Sequence, residues 1–215
     1  MSNNIELKDL EKKAWRTTFD DGIFDIYMGI LIISFGPSIS FYDYLPVPIN
    51  ILIGPIIIGL GLAFFILSKK YLIQPRIGFV KFGRKRKARK IKTMIIISIN
   101  VVLLFAIFLF SLSGILQDLM IPPFLYVLFA ELLFLTLPLC LVAYFLQYNR
   151  LYFIAILMGV SFSIADSASI FIPIPYNFFF TYLVIGGLII GMGMFYLIRF
   201  LRKYPKIKQE MAKNE

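Results

Sequence analysis

The chain has 215 residues, of which 60% are hydrophobic, 17% aromatic and only 16% charged, with 22 Lys and Arg against 12 Asp and Glu. A soluble domain carries roughly 45–50% apolar and about 25% charged residues; the excess here is gathered into runs of about 20, the length that crosses ~30 Å of hydrocarbon. The absence of histidine excludes Ser/His hydrolysis and HExxH zinc chemistry, and the single cysteine, Cys140, excludes an intrachain disulfide and any CxxC metal or redox motif.

Residues 1–23 are polar and mixed in charge, without the basic start, short apolar core and small-residue cleavage site of a signal peptide. The first apolar run is therefore expected to serve as an uncleaved insertion signal. Within this segment Leu7, Leu10, Ala14 and Thr18 share a helical face beside Trp15, and Asn3 with Glu6 has capping-box spacing. Such a helix suits the membrane interface, with Trp15 at headgroup depth, or the protein's own loops.

Six apolar runs follow, near Phe24–Phe41, Ile49–Leu67, Met94–Leu116, Phe124–Leu146, Leu151–Ile172 and Phe178–Phe200. Charge sets their orientation. Four basic residues precede the first run, eleven lie between Lys69 and Lys92, Arg150 separates the fourth and fifth runs, and six follow the last. Six crossings put every one of them on one side, opposite Asp43 and Asp118, and five or seven would not. The positive-inside rule then places both termini in the cytoplasm. The expected fold is all-α: one polytopic membrane domain over residues 1–215, six transmembrane helices in three hairpins. Residues 1–23 form a cytoplasmic amphipathic segment, 69–92 a basic cytoplasmic loop and 201–215 a cytoplasmic tail.

At the first membrane boundary stands Phe19-Asp20-Asp21-Gly22-Ile23-Phe24-Asp25. Asp21 and Asp25 share a helical face, and an unpaired carboxylate at that depth is costly. The loop Gln74-Pro75-Arg76-Ile77-Gly78-Phe79-Val80-Lys81-Phe82 reads as interfacial, anchored by Phe79 and Phe82. Arg76 or Lys81 is the expected partner of Asp21 or Asp25. The segments Phe19–Gly29 and Pro75–Phe82 resemble those of a family of small multi-pass prokaryotic membrane proteins of unknown function, over about a tenth of the chain. The resemblance implies topology and no chemistry.

Arg84, Lys85, Arg86, Lys87, Arg89 and Lys90 form the densest basic run, expected to continue the third helix because no Gly or Pro follows Gly83. Its readings are a topology signal that also touches anionic lipid headgroups and a specific headgroup site. Nucleic acid is not an expected partner, since no reading module accompanies the charge.

Glu131 and Asp166 lie inside apolar runs, about 12 and 10 Å below the outer boundary at 1.5 Å per residue. No cation is near them in sequence. With Ser163 and Ser167 they form a candidate proton or cation site; the alternative is interhelical glue, as for Asn100. Gly187 and Gly191 form a GxxxG step, and Gly59 with Ala63 a looser one, which leaves a homo-oligomer or a membrane partner open. Pro37, Pro55 and Pro138 are candidate kinks. Similar turns, Pro46-Val47-Pro48-Ile49-Asn50 and Pro173-Ile174-Pro175-Tyr176-Asn177, raise either a hairpin repeat or shared turn chemistry. The Asp20-Asp21-Gly22 triplet matches a fragment of the CDP-alcohol transferase signature whose remaining residues are missing. No metal or cofactor motif is present. The expected function is non-enzymatic, through lipid or protein partners at the cytoplasmic face; the alternative is a small proton- or cation-coupled transporter or channel.

Overall fold

Where water is scarce the backbone must satisfy its own N–H and C=O groups, and long runs of Leu, Ile and Phe do so as helices. The computed structural model describes residues 19–41, 46–77, 84–112 and 128–205; of these, 88% is helix and none is strand. Helix α1 is Ile23–Ser40. Helix α2 covers 47–77, as Val47–Ser68, a π-helical turn Lys69–Ile73 and a last α-turn Gln74–Ile77. Helix α3 is Arg84–Leu112, so the basic run is helical and opens it. Helix α4 is Leu128–Leu146, with a π-segment Leu132–Thr136. Helix α5 is Arg150–Ile170, interrupted at Val160, and α6 is Tyr176–Lys203. Trp15 and its segment, Asp43, Phe79, Lys81, Phe82, Asp118 and the tail from 206 lie outside the described residues, as do the side chains of Arg84, Lys85, Arg86, Lys87 and Lys90.

Four stretches, Leu52–Arg76, Leu128–Leu146, Arg150–Ile170 and Tyr176–Lys203, are long and apolar enough to cross a membrane; Ile23–Pro37 and Ile91–Asn100 are shorter. The surface is inverted relative to a soluble protein. Leu60, Leu188 and Phe195 are 67%, 63% and 62% exposed, whereas Asp21, Asp25 and Asn177 are fully buried. Apolar outside and polar inside fits insertion into a membrane.

Gln74–Ile77, expected as loop, continues α2. Proline lacks the N–H that would bond four residues back, and the chain absorbs this by widening the preceding turn. Gln74 N–H donates to the Lys69 carbonyl just before Pro75, and Leu137 N–H to the Leu132 carbonyl just before Pro138. In α4 the carbonyl four residues before Pro138, that of Phe134, accepts a hydrogen bond from Asn100 Nδ2 at 3.1 Å. Asn100 thus ties α3 to α4 at the group the proline frees.

The centre of the fold is α1 against α6, running antiparallel. Glycines on α1 and just before it recur every seven residues, at 22, 29 and 36; α6 answers with Gly186 and Gly193. A Cβ on Gly29 would lie 2.7 Å from the Gly186 carbonyl, and one on Gly193 would lie 2.8 Å from that of Gly22. A seven-residue repeat keeps one stripe facing the partner, so backbones meet along the seam. Gly59, Gly187 and Gly191 have open space around them instead. The packing steps are therefore not the GxxxG pair read from sequence, which faces outward. Helix α2 lies along α1, where Gly61 meets Ile30. Helix α5 joins α6 through Phe162 and Phe178, with ring centroids 4.9 Å apart, and α4 at Gly159, whose Cβ position is filled by the Thr136 hydroxyl.

Candidate functional sites: a buried charge network and a capped helix break

Asp21 and Asp25 sit one turn apart around the start of α1, and both carboxylates are fully buried. Asp21 Oδ1 accepts the Ile23 N–H at 3.0 Å, capping the helix from two residues upstream. Its other oxygen pairs with Lys69, which opens the π-helical turn of α2. Between the two acids Gly22 adopts φ 74°, and a Cβ there would stand 2.2 Å from the Gly193 carbonyl. Only glycine meets both demands.

Asp25 is held by the turn between α4 and α5. Arg150 approaches its Oδ2 to 2.8 Å, and the Tyr148 hydroxyl donates to Oδ1. Arg150 also donates to the Phe19 carbonyl at 2.6 Å and lies 3.8 Å above the Tyr196 ring of α6. Phe19 stacks on Tyr148, centroids 5.4 Å apart. One network therefore joins the α1 start to α2, the α4–α5 turn and α6. Burial raises the Asp21 carboxyl above its ordinary range, and Lys69 opposes that rise. Burial, then the Asp25 charge, pushes the Tyr148 phenol up, so it stays protonated and remains a donor.

Of the expected partners of these acids, Arg76 is corrected. Arg76 donates instead to the Tyr204 carbonyl at 2.6 Å and that of Leu201 at 3.3 Å, beyond and within the last turn of α6. Helix termini leave carbonyls without intrahelical donors, and a cation there is favourable. Because α2 stays helical through Ile77, Lys69 rather than Arg76 lies level with Asp21. Lys81 is not described. Lys69, Tyr148, Arg150 and Tyr196 were not among the candidates. The one available signal was Arg150, a lone cation in a turn otherwise without charge.

The second centre is the break in α5. Ser161 Oγ donates to the Met158 carbonyl at 2.7 Å, and the helix restarts after Val160. A restarting helix exposes N–H groups that need acceptors. Glu131 of α4, also buried, supplies them: Oε1 accepts the Phe162 N–H at 2.8 Å and Oε2 the Ser163 N–H at 3.2 Å and its hydroxyl. Asp166 is not brought to Glu131. It is exposed one turn further along α5, and Ser167 Oγ bonds the Ser163 carbonyl of its own helix at 2.9 Å. Of the four residues of the candidate ion site, only Ser163 is brought to Glu131, as donor to the helix cap. Asn177 of α6, not singled out in sequence, is fully buried beside them and donates to the Ala165 carbonyl at 2.8 Å.

Over the described residues these features define an all-helical protein with four candidate membrane-crossing helices. The chain matches no family model, no curated protein and no solved structure.

Proposed function

We propose that this chain is a polytopic protein of the cytoplasmic membrane, with six crossings in three hairpins and both termini inside. It acts without catalysis, by presenting a basic cytoplasmic face to acidic phospholipid headgroups. The carrying observation is how charge is spent at that end of the fold. Asp21 and Asp25 are consumed internally by Lys69 and Arg150, and Arg76 caps α6. The helix that opens α3 then brings its basic run to the same end, where Lys92 is exposed and Arg89 partly so. No ion pair of Arg89 or Lys92 occurs among the described residues. Antiparallel packing of α2 on α1, α3 on α4, α4 on α5 and α5 on α6 supports the alternating topology, and the positive-inside rule supports its orientation.

The test is acidic-lipid enrichment around the reconstituted protein, read by energy transfer from Trp15 to labelled phosphatidylglycerol against labelled phosphatidylcholine. Enrichment is expected in the wild type, falling with salt and disappearing when Arg84, Lys85, Arg86, Lys87, Arg89 and Lys90 are all changed to Gln. Equal transfer from the two lipids in the wild type would overturn the reading.

A further inference from the structure

We propose a discrete site for one acidic phospholipid headgroup between the start of α3 and the α4–α5 turn. The inference rests on the basic-face reading and narrows it to a place. A cavity of about 440 Å³ lies there, lined by Arg89, Lys92, Tyr144, Gln147, Asn149 and Tyr152. Its chemistry selects an anion. Among the described residues two cations line it and no carboxylate does, whereas Asp20 lines two other cavities, one beside Arg150 and one beside Arg199. The amide of Asn149 adds a polar group suited to phosphate and glycerol oxygens, and arginine matches a phosphate with a planar fork of donors.

The surroundings select a lipid over a soluble phosphate. On α3, Ile95 and Ile99 follow Lys92 at helical spacing and are 51% and 54% exposed; on α4, Leu141 and Leu137 precede Tyr144 at the same spacing and are 40% and 48% exposed. The polar cavity thus heads two continuous apolar faces. A ligand with a charged head and hydrocarbon tails matches both parts, the head between Arg89 and Lys92 and the tails along α3 and α4. Tyr144 and Tyr152 belong at the level where headgroup meets hydrocarbon, the usual depth of interfacial tyrosines.

Native mass spectrometry of the full chain, released from mixed phosphatidylglycerol and phosphatidylcholine micelles, counts the lipids retained. The wild type is expected to keep one phosphatidylglycerol in preference to phosphatidylcholine. Arg89→Gln with Lys92→Gln is expected to weaken that retention roughly thirtyfold, with the thermal midpoint unchanged. Lys70→Gln with Arg202→Gln removes the same charge from exposed positions on α2 and α6 and is expected to leave retention intact. Equal loss in both double variants would overturn the discrete site while sparing the basic-face reading. No preference for phosphatidylglycerol in the wild type would overturn both. Competition by glycerol phosphate at the lipid's own affinity would overturn the lipid assignment and make the ligand a soluble phosphate.

Discussion

The Asp25 carboxyl is fully buried, and Arg150 and Tyr148 both converge on it. Breaking such a pair from one side leaves an uncompensated buried charge, which costs about 3–5 kcal/mol. Arg150→Gln is expected to lower the stability of the detergent-solubilised protein by that amount. Adding Asp25→Asn is expected to restore most of it; strictly additive losses in the double variant would show that the two residues do not act as a pair. Asp21 allows a pH test. Burial holds its folded-state pKa above the ordinary value, so its ionisation costs stability as pH rises from the usual carboxylate range, near 4, through the raised value. Lys69 offsets that cost. Lys69→Met should therefore be tolerated near pH 4 and increasingly destabilising toward pH 7, measured as thermal midpoints across that range. The motif containing these acids was conspicuous in the sequence, and their need for partners was legible from burial cost alone. The partners were not: Lys69 and Arg76 lie on one short stretch, and only the continued helix of α2 decides that Lys69 stands level with Asp21.

At the scale of elements, two devices hold the helices together. The first is the glycine seam between α1 and α6. Gly29→Leu or Gly193→Leu inserts side chains where a Cβ alone already meets backbone at 2.7–2.8 Å. Each is expected to destabilise by at least 2 kcal/mol. Gly187→Leu and Gly191→Leu point into open space and should be neutral or slightly stabilising, since they also remove helix glycines. Comparing thermal midpoints of the four variants checks the assignment; an unstable Gly191→Leu would mean that its face is packed. The second device is repair of the backbone where proline or a break opens it. Asn100 serves the carbonyl freed by Pro138, and Glu131 serves the N–H groups freed at Val160. Glu131 accepts two backbone N–H groups and the Ser163 hydroxyl at the restarted helix, and it does not form with Asp166 the matched pair that their equal depth invited. Equal depth places two residues on one level, but the break at Val160 sets which side of α5 faces α4.

For the molecule as a whole, α1 and α6, distant in sequence, share the central seam, while α2 lies on α1 and α3 on α4. The buried network then ties the start of α1 to α2, to the α4–α5 turn and to α6. The proposed orientation has a direct check. In a Cys140→Ser background, single cysteines at Asn149 and Lys203 should react with an impermeant thiol reagent only after the cytoplasmic side is opened. Cysteines at Asn50 and Ile174 should react from the outside of intact cells. Labelling of Asn149 and Ile174 positions from the same side would refute the six-crossing topology.

Among the described residues, the amino-acid sequence by itself determined where the helices lie apart from the last turn of α2, their apolar character and the gathering of positive charge at intervals. These follow from local composition, because in an apolar surrounding a run of about 20 apolar residues has few alternatives to a helix. Tertiary structure alone decided which glycines form the seam, which cation meets which acid, and that Glu131 caps a broken helix. Those outcomes depend on the angle at which each helix faces its neighbour. That angle is shifted by each π-turn and break, and a shift of one residue turns a helix by about 100°. Gly186 and Gly187 are adjacent in sequence, yet one packs against α1 and the other is exposed.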